Sequence, residues 1–258
     1  MDLGLAEQIT LIAGSSRGIG RAIAAAFLAE GARVILTGRD VASLENSREA
    51  LATSAGDHRV MSCAGDLNDQ RVLDATLDRV KTEWGAIDCL IANVGTGRGK
   101  IGWELNDSDW SNLFEQNLWG AVRLIAKVLP QMMAAKRGSI VLVSSITGLE
   151  ATKAPLPYSA AKAALINYAK NLSVQVAPNG IRVNCVAPGN VLFPGGSWER
   201  HLEQRREEVM RFIEQEVPLQ RFGQPEEIAN LIVFLSSPRA AFITGACVRA
   251  DGGQTRSW

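Results

Sequence analysis

Short apolar runs alternate with helix-forming stretches along the whole chain, and this alternation is the feature that most limits the fold. The runs are rich in valine, isoleucine and leucine, which is typical of strands that are buried on both faces. The pattern predicts an α/β fold, a doubly wound parallel sheet with helices on both faces. The predicted strands are 8–13, 31–39, 59–66, 88–95, 138–145, 181–187 and 246–250.

No linker, repeat or low-complexity tract divides the 258 residues, so we expect a single domain over residues 1–258. Acidic and basic residues balance at 27 each, and no net charge attracts nucleic acid or an anionic membrane. No apolar run reaches the roughly 18 residues of a membrane helix, and the N-terminus lacks a signal-peptide pattern. We therefore expect a cytoplasmic protein that binds neither nucleic acid nor membranes.

Cysteine and histidine patterns give little support to metal chemistry. The four cysteines are widely spaced and form no Cys-x-x-Cys pair, so we interpret them as buried thiols. His58 and His201 have no clustered partners, which argues against a zinc site and against a histidine-based triad. The sequence predicts no metal site.

A glycine-rich loop, Gly14-Ser-Ser-Arg-Gly-Ile-Gly20, follows the first predicted strand and leads into an alanine-rich helix. Glycines allow the backbone to approach a pyrophosphate closely, and a helix N-terminus offers free N–H groups to its negative charge. A glycine loop alone can also be a plain tight turn. Strand, loop and helix in this order favour a dinucleotide site.

The end of the second predicted strand bears on the choice of cofactor. NAD sites usually place an acidic side chain about 20 residues past the loop, whereas NADP sites offer a cation to the 2′-phosphate. Here the strand ends in Arg39, and Arg17 lies in the glycine loop. The two arginines favour NADP(H), with NAD(H) as the second option. Asp40 suits the N-cap of the next helix, and two solvated arginines are the alternative explanation.

Tyr158 and Lys162 lie about one helical turn apart at the start of a predicted helix over 158–176, so their side chains share a face. An ammonium near a phenol lowers the tyrosine pKa from about 10 and makes the hydroxyl a usable proton donor. Carbonyl reduction needs such a donor, because hydride arriving at carbon leaves an alkoxide. An isolated Tyr-x-x-x-Lys pair is common on surface helices, so its context decides.

Two further polar residues supply that context. Ser145 ends the predicted strand 138–145 and offers a neutral donor to a substrate oxygen. Asn117 interrupts the apolar face of a long helix predicted within 107–133, which Pro130 should kink near its end. This amide is either a satisfied core group or the holder of a water next to Lys162.

Ligands of open α/β sheets bind at the carboxyl ends of the strands, so we expect cofactor and chemistry to meet there. Asp66 at one such end is either an acceptor for the adenine amino group or, with Asn68, the start of a helix that runs to Trp84. The residues at or just after predicted strand ends are Gly14, Arg39, Asp66, Asn93, Ser145 and Pro188.

The segment from about 190 to 217 is the least regular part of the sequence and is a candidate substrate loop or lid. Its second half has apolar residues spaced as in an amphipathic helix. Gly195-Gly196 is a candidate hinge, and Phe193 and Trp198 are candidates to line a substrate pocket. A plain surface helix explains the pattern equally well.

Together these motifs resemble the short-chain dehydrogenase/reductase family along essentially the whole chain. The tetrad of that family is matched by Asn117, Ser145, Tyr158 and Lys162. The resemblance implies a single Rossmann-type domain that transfers hydride between a nicotinamide and a ketone or secondary alcohol. It also implies a set of cofactor-binding residues. These are Gly14, Ser16, Arg17, Gly18, Ile19, Gly20, Arg39, Asp66, Leu67, Asn93, Gly95, Tyr158, Lys162, Pro188, Gly189 and Val191.

The resemblance assigns roles within the tetrad. Ser145 would orient the substrate oxygen, and Tyr158 would transfer the proton. Lys162 would lower the tyrosine pKa and bind the nicotinamide ribose, while Asn117 would support a water relay.

Three positions depart from the family pattern. Ala13 and Ala92 replace polar residues, so a hydrogen-bonded brace between their strands is expected to be missing. Phe193 replaces a threonine that often contacts the nicotinamide amide in the family.

Among family members the chain looks most like the 3-oxoacyl-thioester reductases of fatty-acid synthesis. Of the two basic residues that receive the acyl carrier in those enzymes, Lys136 matches one and the uncharged Asn179 stands at the other. We expect an NADPH-dependent ketone reductase whose substrates include 3-oxoacyl thioesters. The alternatives are a sugar, polyol or other secondary-alcohol dehydrogenase, and a catalytically silent nucleotide-binding member. The resemblance also implies a homo-oligomer, tetramer or dimer, formed through the helices that carry Asn117 and Tyr158.

Overall fold

Seven parallel strands form one sheet in the order β3-β2-β1-β4-β5-β6-β7. This computed structural model describes residues 2–256. The doubly wound parallel sheet predicted from the apolar runs is confirmed. The strands are β1 (Ile9–Ile12), β2 (Arg33–Gly38), β3 (Val60–Ala64), β4 (Cys89–Ala92), β5 (Gly138–Val143), β6 (Ile181–Pro188) and β7 (Cys247–Ala250).

Helices cover both faces of the sheet and enclose two separate apolar clusters. One cluster contains buried residues of α3, α5 and α6, and the other contains residues of α1, α2 and α8. The strand order reverses between β1 and β4, which opens a crevice at their carboxyl ends. The helices are α1 (Gly18–Ala29), α2 (Val41–Ala55), α3 (Gln70–Glu83), α4 (Asp107–Phe114), α5 (Gly120–Ala135), α6 (Leu156–Val176), α7 (Ser197–Glu216) and α8 (Pro225–Ser236).

Side-chain caps fix where two of the helices begin. Asp40 caps α2 by accepting a hydrogen bond from the Ser43 N–H at 2.7 Å, as the sequence predicted. Asp69 caps α3 by accepting from the Arg71 N–H at 2.8 Å. The interpretation of Asp66 and Asn68 as the start of this helix is therefore wrong, because the helix begins after them.

The stretch predicted as one long helix within 107–133 is two helices joined by a π-helical turn at Glu115–Trp119. The Gly120 N–H donates to the Glu115 carbonyl across this turn, which is one residue wider than an α-helical turn. Helix α5 continues past Pro130 to Ala135. Helical periodicity of apolar residues does not reveal a single wide turn, so this turn was not predicted.

Helix α7 folds back on itself at Arg205, whose φ of −154° and ψ of 56° are not helical. Trp198, before the kink, stacks on Phe212, after it, with 5.8 Å between the ring centroids. Fourteen residues would span about 21 Å along a straight helix. The segment predicted as a lid is thus a pair of helical pieces held together by an aromatic contact.

Within residues 2–256, no helix has the length and apolar character needed to cross a membrane. The same residues contain no group of three or more His, Cys, Asp or Glu side chains with metal-binding geometry. Three of the four cysteines are buried and Cys247 is half-buried, and all four thiols are free.

Candidate active site

The glycine loop between β1 and α1 is shaped by close backbone contacts that leave no room for a Cβ. A Cβ on Gly20 would lie 2.2 Å from the Gly14 carbonyl oxygen, and one on Gly14 would lie 2.9 Å from the Asn93 carbonyl oxygen. Gly14 also has a φ of +68°. Since α1 begins at Gly18, its free N–H groups border this loop. The loop therefore fits the pyrophosphate of a dinucleotide.

Asn93 ties the end of β4 to the glycine loop. Its Nδ2 donates to the carbonyl oxygens of Ala13 at 3.3 Å and Gly14 at 3.1 Å, while the Ala13 N–H donates to Ile91 at 2.9 Å. The expectation of a missing brace at Ala13 and Ala92 is wrong. The brace forms because the single amide of Asn93 and the backbone supply it.

Arg17 and Arg39 lie at the carboxyl-end edge of the sheet, where the adenosine half of a dinucleotide would lie. Both side chains are exposed, and neither forms an ion pair within residues 2–256. The Arg17 guanidinium also approaches the lid, since its Nη1 is 2.9 Å from the Cβ position of Gly195. The two cations are available to a phosphate group.

Asp66 and Leu67 follow β3 and are half-buried. The Asp66 Oδ1 accepts from the Asn68 N–H at 3.0 Å, which orients the carboxylate in a local turn. Asp66 does not cap α3, and its role as an acceptor for the adenine amino group stays a prediction.

Beyond β6, Pro188 and Gly189 lead into a short bridge between Val191 and Gly223. The bridge uses the Asn190 carbonyl at 2.9 Å and the Leu192 N–H at 3.0 Å. This pattern leaves out the N–H and C=O of Val191, the backbone groups that the family resemblance assigns to the nicotinamide amide.

The predicted tetrad comes together at the carboxyl ends of β4 and β5. Lys162 is buried and its Nζ donates to the Val143 carbonyl at 2.9 Å, while the Ser144 hydroxyl donates to the Lys162 carbonyl at 2.9 Å. These two bonds fix the first turns of α6 to the end of β5. The Lys162 Nζ lies 5.8 Å from the centroid of the Tyr158 ring, and Ser145 is the second residue after the end of β5.

Asn117 reaches the same place from the π-helical turn. Its side chain is fully buried, with Nδ2 donating to the carbonyls of Leu113 at 2.9 Å and Thr96 at 3.1 Å and Oδ1 accepting from the Thr96 N–H at 3.0 Å. A Cβ on Gly95 would lie 2.4 Å from the Asn117 Oδ1 and 3.1 Å from the Lys162 Nζ. The amide is thus a satisfied core group that also borders the lysine.

Burial governs both titrating groups of the pair. It raises the pKa of Tyr158 above its usual value of 10, and the hydroxyls of Ser145 and Thr147 oppose that rise. It lowers the pKa of Lys162 from 10.5 to about 8, with the neighbouring Cys185 opposing. The net pKa of Tyr158 is therefore raised in the protein without ligands, not lowered as expected, because desolvation of the phenolate is the largest influence on it.

Comparison with known proteins decides the family. The family model described as enoyl-(acyl carrier protein) reductase matches residues 13–255. The 3-oxoacyl-[acyl-carrier-protein] reductase FabG of Escherichia coli (strain K12) is 35% identical over 247 residues, which cover 95% of this chain and 96% of the relative. The chain belongs to the short-chain dehydrogenase/reductase family. It is an NAD(P)-dependent oxidoreductase that transfers hydride between a nicotinamide and a ketone or secondary alcohol.

Solved structures of other short-chain dehydrogenases/reductases superpose on the whole chain. L-sorbose reductase from Gluconobacter frateurii, in complex with NADPH and L-sorbose, has 34% identity and a TM-score of 0.91, with all of both chains covered. A 3-oxoacyl-[acyl-carrier protein] reductase from Brucella melitensis with bound NAD has 31% identity and a TM-score of 0.86. That match covers 99% of this chain and 94% of the Brucella chain.

In this short-chain dehydrogenase/reductase, two residues near the phenol were missed by the sequence analysis. The Thr147 Oγ1 is buried, has no well-formed hydrogen bond within residues 2–256, and acts on the pKa of Tyr158. Thr96 holds both ends of the Asn117 amide. The sequence signal for Thr147 was its place two residues after Ser145, at the polar end of an apolar strand.

The two pocket candidates contact other parts of this short-chain dehydrogenase/reductase. The Phe193 ring packs on the glycine loop, since a Cβ on Gly18 would lie 2.6 Å from it. Trp198 lies among Phe212, Phe222 and His201, with ring centroids 5.4 to 5.8 Å away. These contacts explain how the lid is packed, and a role of either residue in a substrate pocket stays a prediction.

Proposed function

We propose that this enzyme reduces ketones with NADPH, using Asn117, Ser145, Tyr158 and Lys162 as its catalytic tetrad. The observation that carries the proposal is the convergence of these four residues at the carboxyl ends of β4 and β5, beside a loop shaped for a pyrophosphate. A protein that only bound a nucleotide would have no chemical need to bury a lysine next to a tyrosine.

The reaction needs a proton donor and an oriented carbonyl. When bound, the nicotinamide supplies the hydride. The Ser145 hydroxyl donates a hydrogen bond to the substrate oxygen, and the Tyr158 hydroxyl transfers its proton to the same oxygen as the alkoxide forms. Burial raises the pKa of Tyr158, which keeps the phenol protonated and ready to donate in the reductive direction.

Lys162 stabilises the phenolate that remains after this transfer. With a pKa of about 8 it is mostly protonated at neutral pH, and its bond to the Val143 carbonyl holds the ammonium in place. Asn117 anchors the Thr96 backbone beside it. We assign Asn117 the role of ordering the groups through which a water returns a proton toward Lys162.

We propose NADP(H) as the preferred cofactor and NAD(H) as the weaker one. Arg39 and Arg17 supply positive charge where the 2′-phosphate would lie, and the one nearby carboxylate, Asp40, serves as the α2 cap. L-sorbose reductase of Gluconobacter frateurii binds NADPH, and the Brucella reductase binds NAD. Asp66, Asn93 and the Val191 backbone complete the proposed cofactor site.

For the substrate, we favour a 3-oxoacyl thioester, in keeping with the reductases of the FabG kind among the relatives. The second candidate is a sugar or polyol, supported by L-sorbose reductase at a similar identity. Delivery of the substrate by an acyl carrier has partial support. Of the two positions that match the carrier-binding basic residues, Lys136 is an exposed cation at the end of α5, whereas Asn179 is uncharged.

We also propose that residues 1–258 form one domain and that the protein is cytoplasmic. We propose that it assembles as a homo-oligomer, either a dimer or a tetramer. Apolar side chains on the outer faces of α4 to α6 support the oligomer, since Trp119 is 48% and Val174 is 67% exposed. Four free thiols fit a reducing compartment.

The test measures oxidation of NADPH and of NADH with acetoacetyl thioesters and with L-sorbose. We expect turnover of a thioester with a clear preference for NADPH. Arg39→Gln should raise the KM for NADPH about tenfold and leave the KM for NADH nearly unchanged, because only NADPH carries the 2′-phosphate. Arg71→Gln, at an exposed position on α3, is the matched control.

The outcomes separate the candidates. Turnover of L-sorbose alone would move the substrate to the sugar class. Equal use of the two cofactors by the wild type and by Arg39→Gln would overturn the assignment of Arg39.

A further inference from the structure

Two glycines bring the loop after β4 against the start of α6, beside the phenol. A Cβ on Gly97 would lie 3.7 Å from the Tyr158 Cζ, and one on Gly99 would lie 3.3 Å from the Pro155 Cβ. The segment of residues 96–100 therefore borders the ring of Tyr158 at its hydroxyl end. We name this segment together with residues 153–155 the entrance rim.

Hydrogen bonds fix the position of the rim relative to the tetrad. Thr96 is bound at its N–H and its C=O by the buried Asn117 amide, at 3.0 and 3.1 Å. The Arg98 N–H then donates to the Thr96 Oγ1 at 3.1 Å. The backbone of Arg98 is thus placed one residue from Gly97, whose Cβ position lies 3.7 Å from the Tyr158 ring.

Three cations lie on the rim: Arg98, Lys100 and Lys153. All three side chains are exposed, and none forms an ion pair within residues 2–256. The Lys100 Nζ donates only to a backbone carbonyl, that of Glu104, at 2.8 Å. The chain as a whole has equal numbers of acidic and basic residues, so this local excess of positive charge is not a by-product of a basic protein.

Two acidic residues, Glu104 and Glu150, lie near the rim in the chain and offset part of its positive charge. Glu104 lies on the same loop but presents its carbonyl, not its carboxylate, to Lys100. Glu150 precedes α6 and accepts from the Arg256 N–H at 2.7 Å. A cationic rim next to a proton donor attracts substrates of opposite charge and raises their local concentration.

We propose that the natural substrate is a ketone that carries an anionic group, a carboxylate or a phosphate, and that Arg98 binds this group with help from Lys100 and Lys153. The inference rests on the proposed ketone reduction at Tyr158. Arginine suits the first position because its planar fork binds a carboxylate or phosphate through two hydrogen bonds. Binding the anion at the rim would leave the keto group directed toward Ser145 and Tyr158.

The test uses two matched pairs of ketones with NADPH, each with a charged and an uncharged member. Acetoacetate is compared with its ethyl ester, and acetoacetyl-coenzyme A with the acetoacetyl thioester of N-acetylcysteamine. The measured quantity is the ratio of kcat/KM for the charged member over the uncharged one. We expect a ratio of about ten or more for at least one pair. A high ratio in the acetoacetate pair identifies the bound group as a carboxylate, and a high ratio in the coenzyme A pair identifies it as a phosphate.

Single substitutions test whether the rim residues cause the preference for the charged ketones. Arg98→Gln should reduce the ratio about tenfold, and Lys153→Gln should reduce it less, since hydrogen bonds to charged groups are stronger when bidentate. Lys81→Gln removes an equal charge from an exposed position near the end of α3 and should leave the ratio unchanged. NADPH binding followed by fluorescence titration confirms that each variant is folded.

Each outcome decides one of the two claims. A ratio near one in both pairs, with good turnover of the uncharged ketones, overturns the anionic substrate and leaves ketone reduction standing. A high ratio that Arg98→Gln does not lower overturns the assignment of Arg98. No turnover of any of the four ketones or of L-sorbose overturns the proposed function together with the inference that rests on it.

Discussion

At the scale of single residues, the site is built around two groups whose charged forms are disfavoured by burial. Desolvation raises the pKa of Tyr158 and lowers that of Lys162. Such displaced pKa values in one place are typical of functional sites, because a stable core has no reason to keep them. Burial of the pair is therefore costly to folding, which supports the catalytic role that we propose for it.

Replacing Tyr158 tests its role as proton donor. We expect Tyr158→Phe to lower kcat by about 100-fold or more, because the alkoxide loses its general acid. NADPH binding should remain, since the glycine loop and Arg39 are untouched. Tyr168→Phe is the control, because Tyr168 is the other tyrosine of the chain and lies further along the same helix. If Tyr158→Phe turned over at the wild-type rate, the proposed mechanism would be abandoned.

Lys162→Met should abolish turnover and yet stabilise the fold at neutral pH. The fall of the lysine pKa from 10.5 to about 8 corresponds to a folding cost of about 3 kcal/mol, an upper estimate because a buried methionine packs differently. The folded pKa lies below the unfolded one, so the unfolded chain binds more protons between pH 8 and 10.5. The wild-type free energy of unfolding therefore rises with pH across this window.

Urea unfolding of the wild type and of Lys162→Met at pH 7 and pH 10 measures this effect. We expect the variant to be more stable at pH 7, with a smaller difference at pH 10. A variant that is less stable than the wild type at pH 7 would show that the ammonium is well solvated or well bonded in the folded protein.

At the scale of elements, short links between neighbouring strand ends set the geometry of the site. Asn93 joins the end of β4 to the glycine loop, and Ser144 and Lys162 join β5 to α6. The π-helical turn at Glu115–Trp119 carries Asn117 toward Thr96. Each link is one or two hydrogen bonds, so single substitutions are expected to move the cofactor loop or the tetrad separately.

Asn93→Ala should loosen the glycine loop. The loss of two hydrogen bonds from a half-buried amide is expected to cost about 1 to 2 kcal/mol of stability and to weaken NADPH binding in proportion. Thermal unfolding and NADPH titration measure the two effects. Asn171→Ala, on the exposed face of α6, removes an amide that bonds only within its own helix and is the matched control. Equal losses in the two variants would show that Asn93 is not a specific brace.

At the scale of the whole molecule, several exposed apolar side chains lie on the helices that cover one face of the sheet. Trp110, Trp119, Leu156 and Val174 all belong to the α4 to α6 layer and are 38% to 67% exposed. A single exposed apolar residue is ordinary, but several on adjoining helices indicate a contact surface. The tetrad lies in the same layer, so assembly and activity are expected to be linked.

Val174→Glu should dissociate the proposed oligomer, because the interface would have to bury an unpaired carboxylate. Light scattering measures the mass of the wild type and the variant. Val41→Glu is a closely matched control, since Val41 is 65% exposed on α2, away from the α4 to α6 layer, and Val174 is 67% exposed. A monomeric wild type would contradict the proposal outright.

The sequence by itself determined the sheet, the order of its elements and the place of the site. Apolar runs and glycine spacing are local signals, and parallel strands bring their carboxyl ends to one edge whatever the details of packing. For this reason the sequence predicts the glycine loop and Ser145 at that edge, and Tyr158 and Lys162 at the start of the helix that follows, as the structure has them.

Only the tertiary structure decided the features that depend on neighbours distant in the chain. The wide turn at Asn117 carries its amide to Thr96, and the kink of α7 brings Trp198 onto Phe212. The pKa of Tyr158 is raised by desolvation in the folded protein, which residue spacing cannot show. Helical period and motif spacing report contacts within a turn or two, whereas burial and cross-chain hydrogen bonds arise only when the layers pack.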